Sequence, residues 1–236
     1  METNRPEFTL DADRPCKFLK DDLLNRLGQV SGIRDAILQR PDRETMVFSI
    51  QGPWGCGKSS FLAFLGEDLA QLDNTIVFNF DPWWFSSADD LIVRFFYQLQ
   101  TVLGRQSNDK YKRVASAVGT LAKLSQPMLA LVPGGTLAAV AIEEGAKAVG
   151  QAQANLAADV WAIRAEIEKL LSDEQTTIVI MVDDLDRLTK PEINNIFRLV
   201  KGISALRGMV FLLAFDQSIV AKALEETGGL AYLDKI

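Results

Sequence analysis

The sequence has no histidine. That absence removes imidazole general acids and bases, histidine-dependent triads and histidine-ligated metal centres. Chemistry here must run on carboxylates, lysine, arginine, hydroxyls or a bound cofactor. Cysteine is almost as scarce. Cys16 and Cys56 are too few for a ligand cluster or a disulfide framework, and they point to a reducing cytoplasm. Basic residues are outnumbered, 25 against 31 acidic ones, so the net charge is −6. No global field draws nucleic acid or an anionic membrane, and any anion must be held locally. The opening METNRPEFTL lacks the basic-then-apolar pattern of a secretory signal, and residues 1–15 read as a flexible lead-in.

What is present suits one sizeable core: 48% of the 236 residues are hydrophobic and 24% charged. From Cys16 to Gln39 apolar residues recur at helical steps, and Pro41 ends that region. Met46–Ile50 is a strand-forming run followed at once by a glycine-rich stretch, and helical periodicity resumes through Phe61, Leu62, Phe64, Leu65 and Leu69. Thr75–Phe80 reads as a second strand and Ala88 to about Leu103 as a helix. Thr177–Val182 and Met209–Phe215 read as fully buried strands, with a helix from Pro191 between them. Alternating strands and helices imply an α/β fold on a parallel sheet, with ligands beyond the carboxyl ends of the strands. Gly52, Asp183 and Asp216 all fall at such ends.

The middle, about 104–173, is rich in alanine and glycine and reads as a helical insertion. Within it Leu124–Ile142 carries no charge and approaches the length that spans a bilayer. Pro127, Pro133, Gly134 and Gly135 interrupt it, so a buried helical hairpin is the preferred reading and a membrane span the minority one.

Gly52-Pro53-Trp54-Gly55-Cys56-Gly57-Lys58-Ser59-Ser60 matches the Walker A pattern between a strand and a helix. Glycines let the backbone curl with its N–H groups inward as a nest for phosphate, and the following helix adds its N-terminal dipole. Lys58 supplies a mobile charge for the β and γ phosphates, and Ser59 offers a hydroxyl to Mg²⁺. Mg²⁺ takes few protein ligands, so Asp183 at the end of a buried strand is the candidate second oxygen. Asp184 is then the candidate general base for the water that attacks the γ-phosphate. The blander reading lets both acids cap the turn or pair with Arg187. Asp186 and Arg187 read as a structural ion pair, with a catalytic arginine as the alternative. Asp216 either senses the γ-phosphate or caps a turn. For Trp54 and for Trp83-Trp84, buried packing stands against base stacking. Cys56 is at most an oxidation target. No Asn-Lys-x-Asp element for guanine occurs, which favours ATP.

With these residues the chain resembles the KAP family of P-loop NTPases. The matching segments are 52–60, Phe78-Asn79-Phe80-Asp81-Pro82-Trp83, Asp183-Asp184-Leu185-Asp186-Arg187, Phe211–Asp216 and Tyr232-Leu233-Asp234-Lys235-Ile236. The resemblance covers about 20–236 and is weakest over 104–173, where many members carry transmembrane helices. It implies an ATPase sheet of the additional-strand type, ATP and Mg²⁺ as cofactors, and antiviral defence as a context. In similar proteins more sheet and a helical lid follow the last strand, and the 236 residues lack them. Cys56 replaces a more usual serine-like residue. The expected activity is ATP hydrolysis driving a conformational or assembly switch, with a second copy or another subunit as partner and no nucleic acid held by this segment. Two alternatives share the loop: an assembly module without turnover, and a small-molecule or nucleoside kinase, which an added phosphate acceptor would reveal.

Overall fold

Four apolar runs become four strands, because a run buried on both faces has no polar side to show to water. The computed structural model describes residues 15–82, 88–106, 109–129, 165–172, 175–203, 206–225 and 229. The chain runs α1 (Leu27–Gln39), β1 (Met46–Gln51), α2 (Lys58–Leu69), β2 (Thr75–Phe80), α3 (Ala88–Gly104) and α4 (Asp109–Leu129). A helix through 165–172, α5, leads to β3 (Thr177–Val182), α6 (Lys190–Ile203), β4 (Met209–Phe215) and α7 (Gln217–Ala223). All pairings are parallel and the order is β1-β4-β3-β2. β4 thus stands between the strand that feeds the glycine loop and the strand that ends in the acids. That is the additional-strand arrangement.

Strand alternation divides the core between the two faces of the sheet. Met209, Phe211, Leu213 and Phe215 of β4 join Ile178, Ile180 and Val182 of β3 in one cluster with α3, α4, α6 and α7. Val210, Leu212 and Ala214 join Val179 and Met181 on the other face, against α1 and α2. On α3, Leu91, Phe95, Leu99 and Leu103 share one buried face at four-residue steps. Phe95 meets Phe78 and Phe80 of β2 at centroid distances of 5.6 and 5.2 Å. Phe95→Ala is therefore expected to cost about 3–5 kcal/mol in urea unfolding, and a loss under about 1 kcal/mol would contradict this packing.

Two expectations change. The helical period from Cys16 gives a helix only from Leu27, preceded by a single 3₁₀ turn at Leu19–Asp21. The Asp22 carboxylate accepts from Leu24 N at 3.2 Å and Arg26 N at 2.5 Å, and Asn25 turns left-handed at φ 54°. This local side-chain bonding competes with a helix, and Leu23 is left 93% exposed. The segment read as inserted also begins and ends in the main core. α4 packs on α3 with Tyr111, Val114 and Val118 buried, and Ile167 and Leu171 of α5 join the same cluster. Pro127 lies within α4 rather than breaking the helix before it. Among the described residues no helix is long and apolar enough to cross a membrane. The rest of the 124–142 stretch, from 130 on, lies outside the described residues, as do residues 1–14, Trp83-Trp84 and Tyr232–Ile236.

Candidate functional site

The turn from β1 into α2 is made by residues 52–57. Gly52 N–H donates to Phe215 O at 3.3 Å, which ties the start of the loop to the end of β4. Gly55 and Gly57 hold φ of 79° and 87°, a region that strains any L side chain. Gly57 is the N-cap of α2, so the helix opens directly off the left-handed turn. Lys58, its first residue, is 7% exposed, and its Nζ donates to Gly52 O at 3.0 Å and Pro53 O at 3.4 Å. The ammonium thus arches back over the start of the loop. Ser60 Oγ accepts from Cys16 N at 3.1 Å, and Glu67 Oε2 accepts from Leu19 N at 2.6 Å. These contacts lay residues 16–19 along α2. Cys56 is exposed.

The acids stand at the end of β3, one strand removed from the loop strand. Asp184 adopts φ 56° and its N–H donates to Asp183 Oδ1 at 2.8 Å. Burial, and next the charge of Asp183, push the Asp184 carboxyl above the ordinary carboxylate range, while the charges of Arg187 and Lys58 oppose the rise. The ion pair expected between neighbours 186 and 187 is corrected here: Arg187 Nε meets Asp184 Oδ1 at 3.2 Å. The 3₁₀ turn Leu185–Arg187 has three residues per turn, so position 187 eclipses 184 rather than 186. Asp186 Oδ1 is buried without a hydrogen-bond partner.

Two clefts meet at Ser59 and Asp184. One, of about 410 Å³, is bounded by Trp54, Gly55, Gly57, Lys58 and Arg187 as well. The other, of about 330 Å³, adds Asn79, Asp81 and Asp183. The structure therefore brings the loop, Lys58, Ser59, Asp183 and Asp184 together. Trp54 does not fit the buried-packing reading, since it is 72% exposed with the Arg187 guanidinium 5.9 Å from its ring centroid. Asp216 is a cap: its Oδ1 accepts from Ser218 N at 2.9 Å and Ser218 Oγ at 2.7 Å. Those hydrogen bonds hold its carboxyl below the usual range, and the Lys58 charge adds to the effect.

A carboxylate whose folded pKa is depressed stabilises the fold above its unfolded pKa and loses that stability as pH falls through the folded value. Asp216→Ala should accordingly lower Tm at neutral pH. The deficit should close in thermal melts taken below the carboxylate range. A deficit that persists unchanged in acid would contradict the cap.

Hard oxygen donors at Ser59 and Asp183, which bound one cleft, fit Mg²⁺. Among the described residues no group of three or more His, Cys, Asp or Glu forms a metal cage. Sequence reasoning missed Arg26, whose side chain reaches Gly57 O at 2.8 Å from 31 positions away. Neither period nor motif marks a lone arginine ahead of a helix.

The strand–loop–helix unit and the β1-β4-β3-β2 order define a P-loop nucleotide-binding domain of the additional-strand class. A family model described as the KAP family P-loop domain matches residues 32–236, and the chain belongs to that family. It is 26% identical over 234 residues to the phage T7 exclusion protein of Escherichia coli (strain K12), a match that covers 86% of this chain and 31% of that protein. The chain thus spans about a third of the length of that relative. Among solved structures it is similar to the ORC2 protein of Aeropyrum pernix in its ADPNP and ADP complexes. The identity there is 13% and the TM-score 0.44, over 90% of this chain and 46% of that one.

Proposed function

We propose that the chain binds ATP with Mg²⁺ at residues 52–60 and hydrolyses it, and that the cycle works as a conformational or assembly switch in phage defence. The observation that supports this most is the convergence of the left-handed glycine loop, Lys58 and Ser59 with Asp183 and Asp184 on two clefts sharing Ser59 and Asp184. Gly52, Pro53, Trp54, Gly55, Cys56, Gly57 and Ser60 enclose the phosphate chain. Lys58 exchanges the Gly52 and Pro53 carbonyls, its present partners, for phosphate oxygens. Ser59 and Asp183 would hold Mg²⁺, which when bound neutralises charge on the β and γ phosphates. Asp184 takes the proton of the attacking water as its oxygen bonds to the γ phosphorus. The bond to the bridging oxygen breaks, and ADP and inorganic phosphate leave. Burial strengthens Asp184 as a base, and the Arg187 ion pair restrains it. The defence context comes from the phage T7 exclusion protein, and self-association or another subunit is the partner class.

The Arg187 ion pair on Asp184 favours a second reading, an assembly module that binds ATP without turnover until that pair is opened. Light scattering of the chain with Mg·ATP, with phosphate release read in the same samples, separates the two. An assembly switch predicts a change in mass that reverses as phosphate appears, and a conformational switch predicts phosphate at constant mass. A stable change without phosphate supports the module, and an unchanged mass with no phosphate contradicts both.

A further inference from the structure

The guanidinium of Arg26 bonds the backbone of the glycine loop and is not among the residues that bound the two clefts. Its Nη1 donates to Gly57 O at 2.8 Å and its Nη2 to Cys56 O at 3.3 Å. Both carbonyls belong to trans peptide groups, in which the C=O and the N–H point in opposite directions. The Cys56 carbonyl is paired in this way with the Gly57 N–H, and the Gly57 carbonyl with the Lys58 N–H. The Gly57 carbonyl also accepts from Phe61 N–H of α2 at 3.0 Å, so fork and helix together hold that peptide group while the fork alone holds the Cys56 carbonyl. The two N–H groups are aimed to the opposite side, towards the cleft that Gly57 and Lys58 bound. Lys58 Nζ holds the other two loop carbonyls, Gly52 and Pro53, so the Arg26 fork and the ammonium take different parts of the loop.

The fit is close at Gly57. A Cβ built there would lie 2.5 Å from Arg26 Nη2 and 2.7 Å from Nη1, and the backbone already holds φ +87°. The left-handed backbone is what requires glycine at 57, and a side chain there would also push the guanidinium off its two carbonyls. The anchor on the other side is firm. Arg26 is the N-cap of α1, and its own N–H is held by Asp22 Oδ2 at 2.5 Å. α1 in turn buries Val30 and Ile37 against α2, and Arg34 Nη1 bonds Asp68 Oδ2 at 3.3 Å.

We propose that Arg26 is a positioning residue for the phosphate cradle: it fixes the peptide groups of Cys56–Gly57 and Gly57–Lys58 so that their N–H groups converge on an oxyanion of a nucleoside polyphosphate. The proposal rests on the nucleotide reading of the loop. It assigns Arg26 a role through geometry and not through its charge, since the guanidinium faces carbonyl oxygens.

The test compares Arg26→Lys, Arg26→Gln and the parent chain in calorimetric titrations with Mg·ATP, together with amide NMR of the nucleotide-free chains. Lysine keeps the charge but has no fork. Both variants are expected to bind about tenfold or more weakly, to shift the Gly57 and Lys58 amide resonances, and to keep the Tm of the nucleotide-free chain within about 3 °C of the parent. Parental affinity in both variants overturns the proposal. So does full rescue by Arg26→Lys, which would make the residue a plain charge. Weak binding accompanied by a broad loss of Tm and unmoved loop amides overturns it too, since the effect would then be general stability. If the parent chain itself binds no nucleotide, the nucleotide reading fails, an outcome visible before any variant is compared.

Discussion

Lys58→Ala is expected to weaken Mg·ATP binding by about a hundredfold or more in an equilibrium titration. The magnitude follows from what the ammonium does in the cleft. It is a charged donor at 7% exposure, and among the described residues no other lysine or arginine bounds that cleft except Arg187, which already serves Asp184. Alanine leaves the triphosphate with backbone N–H groups and the helix N-terminus alone. Methionine at 58 restores the stem without the charge, so a matched loss in Lys58→Met assigns the effect to the ammonium. Tight binding in either variant would sink the assignment of the loop.

Asp184→Asn is expected to keep nucleotide binding and to lower phosphate release by roughly 10² or more, the usual scale for a lost general base. The substitution is well suited to the site. Asparagine tolerates the left-handed backbone that residue 184 holds at φ 56°, and it fills the same volume beside Arg187. What it lacks is a lone pair basic enough to take the water's proton. The parent rate should fall as pH drops through the raised Asp184 pKa, at a higher pH than an ordinary carboxylate would give. The residual rate of the variant should lack that limb. A folded pKa that is raised also means that ionised Asp184 costs stability as pH rises through it. The neutral asparagine should therefore melt no lower than the parent at neutral pH. Unchanged turnover would remove Asp184 from the mechanism.

The strands and the loop were legible because their signals are local. β3 and β4 are continuous apolar runs whose length and β-branching leave little choice, and the glycine spacing from 52 to 57 encodes its own backbone. The sheet order followed only through the family resemblance, since no pattern in the chain says that β4 inserts between β1 and β3. The start of α1 was misplaced because apolar spacing counts Leu23 as a core position, whereas the Asp22 turn and the left-handed Asn25 decide the backbone there. Composition alone did not show that the described parts of the 104–173 segment pack into the main core, where small residues such as Ala115 and Ala117 of α4 are buried beside α3. The Asp184–Arg187 pair was one of the alternatives open in the sequence, and the 3₁₀ turn selected it over a pair between neighbours 186 and 187. The reach of Arg26 to Gly57 depended on tertiary packing and is written in no local pattern.

The central claim is that residues 52–60 cradle the phosphates of a nucleotide, and calorimetric titration of the unaltered chain with Mg·ATP tests it most directly. The account predicts one saturable site per chain, from which ADP displaces ATP and adenosine does not. A chain that gives no saturable binding, or from which adenosine displaces ATP as readily as ADP does, would contradict it.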